Sequence, residues 1–503
     1  MAPNKQIHMN FFDMACTGSH MGIGEWKNPK DNSRTKDTIE YYTNLAKLAE
    51  KGKLTSIFFA DTYAVHDTYQ GKADASFRGG HAAGQLDPVV MVSAMAAVTK
   101  SVSVGITGST TYIPPYLLAR TWGTLDHMSK GRVAWNIVTS YSNNAAKAMG
   151  QDKVTPHDKR YIEADEYMDM IYSFWEGSWE DGAQLWSPEK GAYDPKKIHK
   201  ITFNGKYHKT SAHCQSHPSP QRTPVLFQAG SSGAGKKFAA RHAEVIFCAG
   251  AKPSDLVDLV KEVRAMAVKE GRNATDINFF PSLAPIVGRT LEEAQAKYEI
   301  ALEYADWEGG LACVSGFSGL DLSVFPLDEP FDFEKASTFS DNSVHTMIEA
   351  VKRFITPTMT PRQLGKEFAF CGFGSMPVGT PDMIADEIEE WINVADIDGF
   401  IVSYVSNPES YEDFVELLVP VLQERGIMWK DYAVPGGTFR ENLRRAPGEK
   451  NLPQNHVASQ FRYDVLKNKY ADENGDVVID RKKEAEEELV EVSKQVDELK
   501  LKA

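Results

Sequence analysis

The residues of this chain best suited to chemistry lie in the run Gln228-Ala-Gly-Ser-Ser-Gly-Ala-Gly-Lys-Lys237. Gly230-Ser-Ser-Gly-Ala-Gly-Lys236 fits seven positions of a nucleoside-triphosphate P-loop, after the apolar run Pro224-Val-Leu-Phe-Gln-Ala229 and before an Ala-rich segment. The eighth position should supply a hydroxyl for magnesium and carries Lys237 instead. What survives is a Gly/Ser turn between a strand and a helix N-terminus. Such a turn presents free N–H groups and hydroxyls to an anion, above all a phosphate.

Other polar residues sit where apolar runs end. His20 follows the first such run, in Cys16-Thr-Gly-Ser-His20-Met-Gly-Ile-Gly-Glu-Trp26. Phe58-Phe-Ala-Asp61 ends in a carboxylate, Val104-Gly-Ile-Thr107 in a hydroxyl, and Trp135-Asn136-Ile-Val-Thr-Ser140 carries an amide and two hydroxyls. Polar groups at successive strand ends suit a ligand gripped at the mouth of a barrel; helix capping is the plain alternative for each. His157-Asp-Lys-Arg-Tyr161 opens a helical pattern, and its arginine and phenol could meet a phosphate. The cluster His208, His213, Cys214 and His217 has the spacing H-x4-H-C-x2-H, which matches no zinc pattern, so a solvated loop without metal is expected.

The elements that must position these groups alternate. Strands are predicted at Ile7–Phe12, Ser56–Ala60, Val102–Thr107, Val133–Val138, Val225–Ala229, Val245–Cys248, Asn278–Val287 and Gly399–Tyr404. Helical patterns lie near 37–51, 87–99, 115–128, 159–176, 233–243, 253–270, 290–305, 381–395 and 410–425. Eight strands each followed by a helix predict a closed parallel (β/α)8 barrel over residues 1–435, ahead of an open doubly wound sheet. Two long insertions, 177–222 and 306–380, interrupt it, and either could roof the mouth. Residues 436–503 read as an extension ending in a charged helix with a thin stripe of Leu489, Val492, Val496 and Leu499.

A net charge of −14 argues against nucleic acid, and no apolar run approaches a membrane span. The first residues lack a secretory core, and five scattered cysteines suggest reduced thiols, hence an intracellular, cytoplasmic setting.

At these motifs the chain resembles the nitrilotriacetate monooxygenase family. That branch of the bacterial-luciferase-like flavin monooxygenases also holds dibenzothiophene-sulfone, EDTA and long-chain alkane monooxygenases. The likeness runs from about residue 6 to about 440. Its most specific blocks are Phe58–Asp61, Ala119–Ser140, His157–Tyr161 and Ser219-Pro-Gln through Ser232. It implies a luciferase-like TIM barrel binding FMN at its C-terminal mouth. Asp61, Thr107, His157, Tyr161 and Ser231 would contact FMN, Ser232 and the amides from Gly230 would surround the phosphate, and Asn136 would lie near the isoalloxazine. Phe12 would wall the flavin pocket. In such two-component enzymes a separate NAD(P)H:FMN reductase supplies FMNH2, and a C4a-peroxide formed with O2 oxygenates a small organic substrate. His20 is then the candidate catalytic residue, the 306–380 insertion the candidate lid, and a homodimer or homotetramer the expected assembly. The lid segment Gly316-Phe-Ser-Gly-Leu-Asp-Leu-Ser323 departs from several members, which carry a His before the Gly-apolar-Asp core; Ser318 is the nearest stand-in. Rival readings are a deazaflavin- or FMN-dependent oxidoreductase that does not oxygenate, and a non-catalytic flavin-binding protein.

Overall fold

A computed structural model describes residues 5–332, 351–352, 355–370 and 374–484. Eight strands close a barrel: β1 His8–Met14, β2 Ser56–Ala60, β3 Ser103–Ser109, β4 Val133–Val138, β5 Val225–Gln228, β6 Val245–Cys248, β7 Asn278–Leu283 and β8 Gly399–Val402. Every pairing is parallel and joins sequence neighbours, and β8 returns to β1 with His8 opposite Gly399. The segments are continuous apolar runs because both faces of such a sheet are covered. Inside, Phe58, Phe227, Phe280, Val225, Val245 and Ile401 fill the barrel as one cluster.

Seven helices cover the outside over Ile39–Lys51 (α1), Val89–Ala97 (α2), Pro115–Met128 (α3), His157–Tyr172 (α4), Gly233–His242 (α5), Val257–Lys269 (α6) and Pro381–Ala395 (α7). The eighth, α8, runs through Glu409–Asp413, a π-helical turn Phe414–Leu418 and Val419–Glu424.

The barrel's seventh helix is not the one the sequence suggests. The helix expected at 290–305 forms as Leu291–Tyr304, but it buries only Ala294 and Ala301. α7 buries Ile384, Ala385, Ile388, Trp391, Ile392 and Ala395, a stripe wide enough to cover a sheet. Residues 284–380 therefore form one excursion between β7 and α7, on the side where strands end and active sites form. Within it, helices Trp307–Ser318 and Pro361–Phe370 bury Leu311, Val314, Phe317, Leu364 and Phe368 in a cluster of their own. They are tied to the loop after β1 by Ile23 N–H to Ala369 O at 2.8 Å and Asp306 N–H to Ile23 O at 2.9 Å.

The 177–222 insertion joins α4 to β5, so it lies at the opposite end and does not roof the mouth. It forms two antiparallel hairpins, Gln184–Ser187 with Gly191–Tyr193 and Lys200–Asn204 with Lys209–His213. Lys200–Asn204 also pairs in parallel with Val477–Ile479. The change of composition at 436 is likewise no break in packing. Helix Phe439–Arg444 sends Phe439 and Leu443 into the barrel's apolar interior, where Phe439 meets Phe227 edge to face at 5.5 Å. The stripe Leu489, Val492, Val496 and Leu499 lies outside the described residues. Among the described residues, Cys16, Cys214, Cys248 and Cys313 are buried free thiols, and no helix is long and apolar enough to cross a membrane.

Candidate active site at the open end of the barrel

A cavity of about 310 Å³ opens at the C-terminal ends of the strands. His20, Asp61, Thr107, Asn136, His157, Tyr161, Gly230, Ser231 and Ser232 all line it, although they come from six separate stretches of chain.

The phosphate-like corner is built where β5 turns into α5. Ser232 caps that helix, its hydroxyl accepting from the Gly235 amide at 3.1 Å. The same oxygen lies 3.2 Å from His157 Nε2, at the first residue of α4. A Cβ on Gly230 would come within 2.3 Å of the Tyr161 hydroxyl and 2.5 Å of Gln228 Nε2, so a side chain here would displace both groups from the cradle. Arg160 is nearly sealed, at 6 % exposure, and its Nε has no hydrogen-bond partner among the described residues.

Further along the lining, Thr107, Asn136, Gln228 and Asp61 supply the polar groups. Thr107 donates its hydroxyl proton to the Phe59 carbonyl at 3.3 Å and so must accept from Asn136 Nδ2 at 2.9 Å. That chain fixes the Asn136 amide and leaves its Oδ1 buried and unpartnered among the described residues. Gln228 Oε1 is in the same state. Asp61 accepts from Gln85 Nε2 at 2.6 Å. Burial, then the charge of Asp87, push its carboxyl up to about 7.

His20 lies edge-on to Phe317 at 5.0 Å and against Phe12 at 5.6 Å. Burial, then the neighbouring His81, hold it down to about 3, so it is a neutral imidazole whose buried Nε2 has no partner among the described residues. From the 284–380 excursion Phe317 reaches the cavity wall; Ser318 does not line it and spends its hydroxyl accepting from the Leu320 amide at 3.3 Å. The acids of that excursion face elsewhere: Asp328 pairs with Arg362 at 2.7 Å and Asp321 accepts from the Ser323 amide at 3.0 Å.

Sequence reasoning missed Gln228 as a cavity group and the trio His66, His81 and Tyr141. No motif marks them; they meet only because the loop after β2 folds back beneath the residue that follows β4. His208, His213, Cys214 and His217 disperse into local contacts. His208 Nε2 meets the Glu163 carbonyl at 3.2 Å, and His217 packs on His127 at 4.2 Å. Among the described residues no group of three or more metal-ligating side chains forms.

A buried guanidinium nitrogen and a glycine cradle at a helix start suit a phosphate, while fixed carbonyl acceptors suit the N–H groups of a heterocycle. The donor set therefore fits a flavin mononucleotide.

The model of the luciferase-like monooxygenase family matches residues 21–396. A dimethyl-sulfide monooxygenase of Hyphomicrobium sulfonivorans is 39% identical over 460 residues, 91% of this chain and 94% of that protein. A long-chain alkane monooxygenase of Geobacillus thermodenitrificans (strain NG80-2) is 40% identical over 460 residues, 91% of this chain and 98% of that protein. The crystal structure of a riboflavin lyase with modified FMN and substrate riboflavin superposes with a TM-score of 0.83 at 34% identity, covering 91% of this chain and 100% of the other.

Proposed function

The chain belongs to the luciferase-like monooxygenase family, and from that premise we propose that it uses FMNH2 and O2 to oxygenate a small organic substrate. When bound, reduced FMN supplies the two electrons with which O2 gives one oxygen atom to a substrate and the other to water. The observation that carries the reading is the pairing, along one cavity, of a glycine cradle at Gly230–Ser232 with Asn136, whose amide is held by Thr107 and whose Oδ1 is buried without a partner among the described residues.

In this reading Gly230, Ser231, Ser232, Tyr161 and Arg160 hold the phosphate, and His157 supports it through Ser232. Asn136 accepts an N–H of the ring, with Thr107 keeping its amide from turning. Asp61, largely protonated below about pH 7, offers the ring or its chain an O–H. Phe12, Phe58, Phe247 and Phe317 exclude water, which a reactive oxygenating site requires. His20 stands against this wall as the polar group nearest the aromatic end. The electrons come from outside the chain, from an NAD(P)H:FMN reductase, and the working form is a homodimer or homotetramer.

Anaerobic titration with FMNH2, FMN and a deazaflavin tests the cofactor, with FMNH2 expected to bind tightest. Tighter deazaflavin binding would move the protein to hydride-transfer chemistry without oxygenation. Oxygenated product formed with any FMN reductase, NADH and O2 separates an enzyme from a flavin-storage protein.

A further inference from the structure

A second cavity, of about 320 Å³, lies where the 284–380 excursion leaves the barrel, and it shares no described lining residue with the active-site cavity. Four segments wall it. Ile286 and Val287 open the excursion and pair in parallel with Val378 and Gly379 as it returns. Helix Leu291–Tyr304 supplies Ile300 and Tyr304, and the stretch after β8 supplies Val405. The single 3-10 turn Glu25–Lys27 closes the cavity from the loop after β1. Gly24, just before that turn, has φ 102°, and a Cβ there would fall 2.4 Å from the Tyr304 carbonyl oxygen, so turn and helix end are pressed together.

The lining mixes these apolar side chains with charge of one prevailing sign. Four carboxyl groups, of Glu25, Glu303, Glu409 and Asp413, stand against the two ammonium groups of Lys30 and Lys297. Lys297 is already answered: its Nζ lies 2.5 Å from Asp413, 3.3 Å from Glu293 and 3.1 Å from the Val287 carbonyl. Lys30 is exposed, where solvent screens it. Glu25 is the unusual member. It is 1 % exposed, and neither carboxyl oxygen has a hydrogen-bond partner among the described residues. Burial, then the charge of Asp31, push its carboxyl up to about 8; Glu409 adds to the rise, while Asn28 and Lys27 oppose it. At neutral pH it therefore holds its proton. Buried polar groups are otherwise paired, so this acid in the wall of a cavity marks a missing partner.

We propose that this cavity is a second binding site, for a small organic ammonium ion with an apolar body, and that Glu25 supplies the opposing charge from the wall. The apolar body packs on Ile300, Tyr304 and Val405, side chains that an inorganic cation would leave unused. As the ammonium ion enters, the Glu25 carboxyl gives its proton to solvent and becomes the carboxylate that attracts it; no other bond forms or breaks. The occupant lies against the strand pair at the neck of the excursion and so steadies the segment whose Phe317 walls the active site. The inference stands apart from the flavin reading.

Isothermal titration calorimetry on the full chain at pH 7 tests it, with hexylammonium, hexanol and hexanoate as probes. Hexylammonium is expected to bind at least about tenfold tighter than either of the others, since it alone brings a charge for Glu25 to answer. Its binding heat should differ between phosphate and Tris buffers by the ionisation heat of nearly one released proton. Glu25→Gln keeps the neutral shape and should weaken hexylammonium about tenfold while abolishing the buffer difference, which a merely structural role for Glu25 would not do. Hydrogen exchange places the ligand. The amides of Ile286 and Gly288, which donate to the Pro377 and Gly379 carbonyls at 2.9 and 3.1 Å, should exchange several-fold more slowly with hexylammonium bound. Hexylammonium that binds no tighter than hexanol, a parent that releases no proton, a Glu25→Gln variant that binds as the parent does, or unchanged exchange at Ile286 and Gly288 overturns the proposal. Should Glu25→Gln not fold, proton release and exchange in the unaltered protein decide.

Discussion

His157 Nε2 and the Ser232 hydroxyl meet at 3.2 Å, joining the first residue of α4 to the cap of α5. The N-termini of two helices, of 16 and 10 residues, therefore converge on one corner of the cavity, each carrying partial positive charge there. Replacing Ser231 and Ser232 together with alanine should weaken FMN binding by on the order of 3 kcal/mol, about a hundredfold, since two hydroxyls to a charged phosphate are lost. Ser232→Ala alone should also cost about 1 kcal/mol of stability through the lost cap. Flavin fluorescence quenching and chemical denaturation read the two effects apart; unchanged affinity in the double variant would remove the phosphate assignment.

Gly230→Ala drives a methyl into the Tyr161 hydroxyl and the Gln228 amide, two side chains with buried neighbours of their own. Flavin binding should fall below detection while circular dichroism stays that of the unaltered protein. An alanine variant that still binds FMN would show that the cradle lies elsewhere.

His20→Ala removes a neutral, buried imidazole from the aromatic wall without touching the phosphate corner. FMN affinity should hold within about threefold, whereas the share of reduced flavin lost as hydrogen peroxide should rise. Product yield per reduced flavin is the measurement, and full coupling in the variant would take His20 out of the chemistry.

Asp61 makes stability depend on pH with a definite sign. Its carboxyl sits at about 7 in the folded chain against an ordinary value of 3.8, because burial and then Asp87 disfavour its charge. The folded state holds a proton that the unfolded chain gives up, so stability falls as pH rises from about 4 to about 7. Asp61→Asn should flatten that slope and be the more stable protein above pH 7. Denaturant titrations at pH 6 and pH 8 check it; equal differences between variant and parent at both would refute it.

Glu244 carries the opposite sign. Burial alone would raise its carboxyl, but the Arg440 guanidinium at 2.8 Å overrides burial and holds it at about 2. This stabilisation is present above the ordinary value of 4.5 and is lost as pH falls from about 4.5 towards 2. Arg440→Met leaves the carboxylate buried without its partner and should cost about 3–5 kcal/mol at neutral pH. Glu244→Gln should show less acid sensitivity than the parent, measured as the melting temperature between pH 5 and pH 3.

What could be read from the chain follows from how each residue does its work. Barrel strands announce themselves because both faces are buried, so Val133–Val138 or Val245–Cys248 read as unbroken apolar runs. The glycine run at 230–235 is equally legible, since backbone that must approach a ligand tolerates no side chain. The seventh helix was misassigned because Leu291–Tyr304 and Pro381–Ala395 both have helical periodicity, and only the size of the buried stripe separates them. His66, His81 and Tyr141 left no trace: their spacing of about 3 Å is set by two connections meeting, and loops carry no period. Phe439 was hidden for a related reason, as one aromatic residue in a polar stretch.

Phe439 has a temporal side. A barrel whose floor is Phe439 and Leu443 has an open, apolar underside, with Phe227 and Phe280 facing it, until those residues arrive. A chain emerging from the ribosome completes β8 at Val402 and still lacks that floor for roughly forty residues, about two to eight seconds of synthesis at ordinary rates. During that interval the nascent barrel is closed around its side but not beneath. That interval of translation is then the period in which a holding chaperone has most to cover.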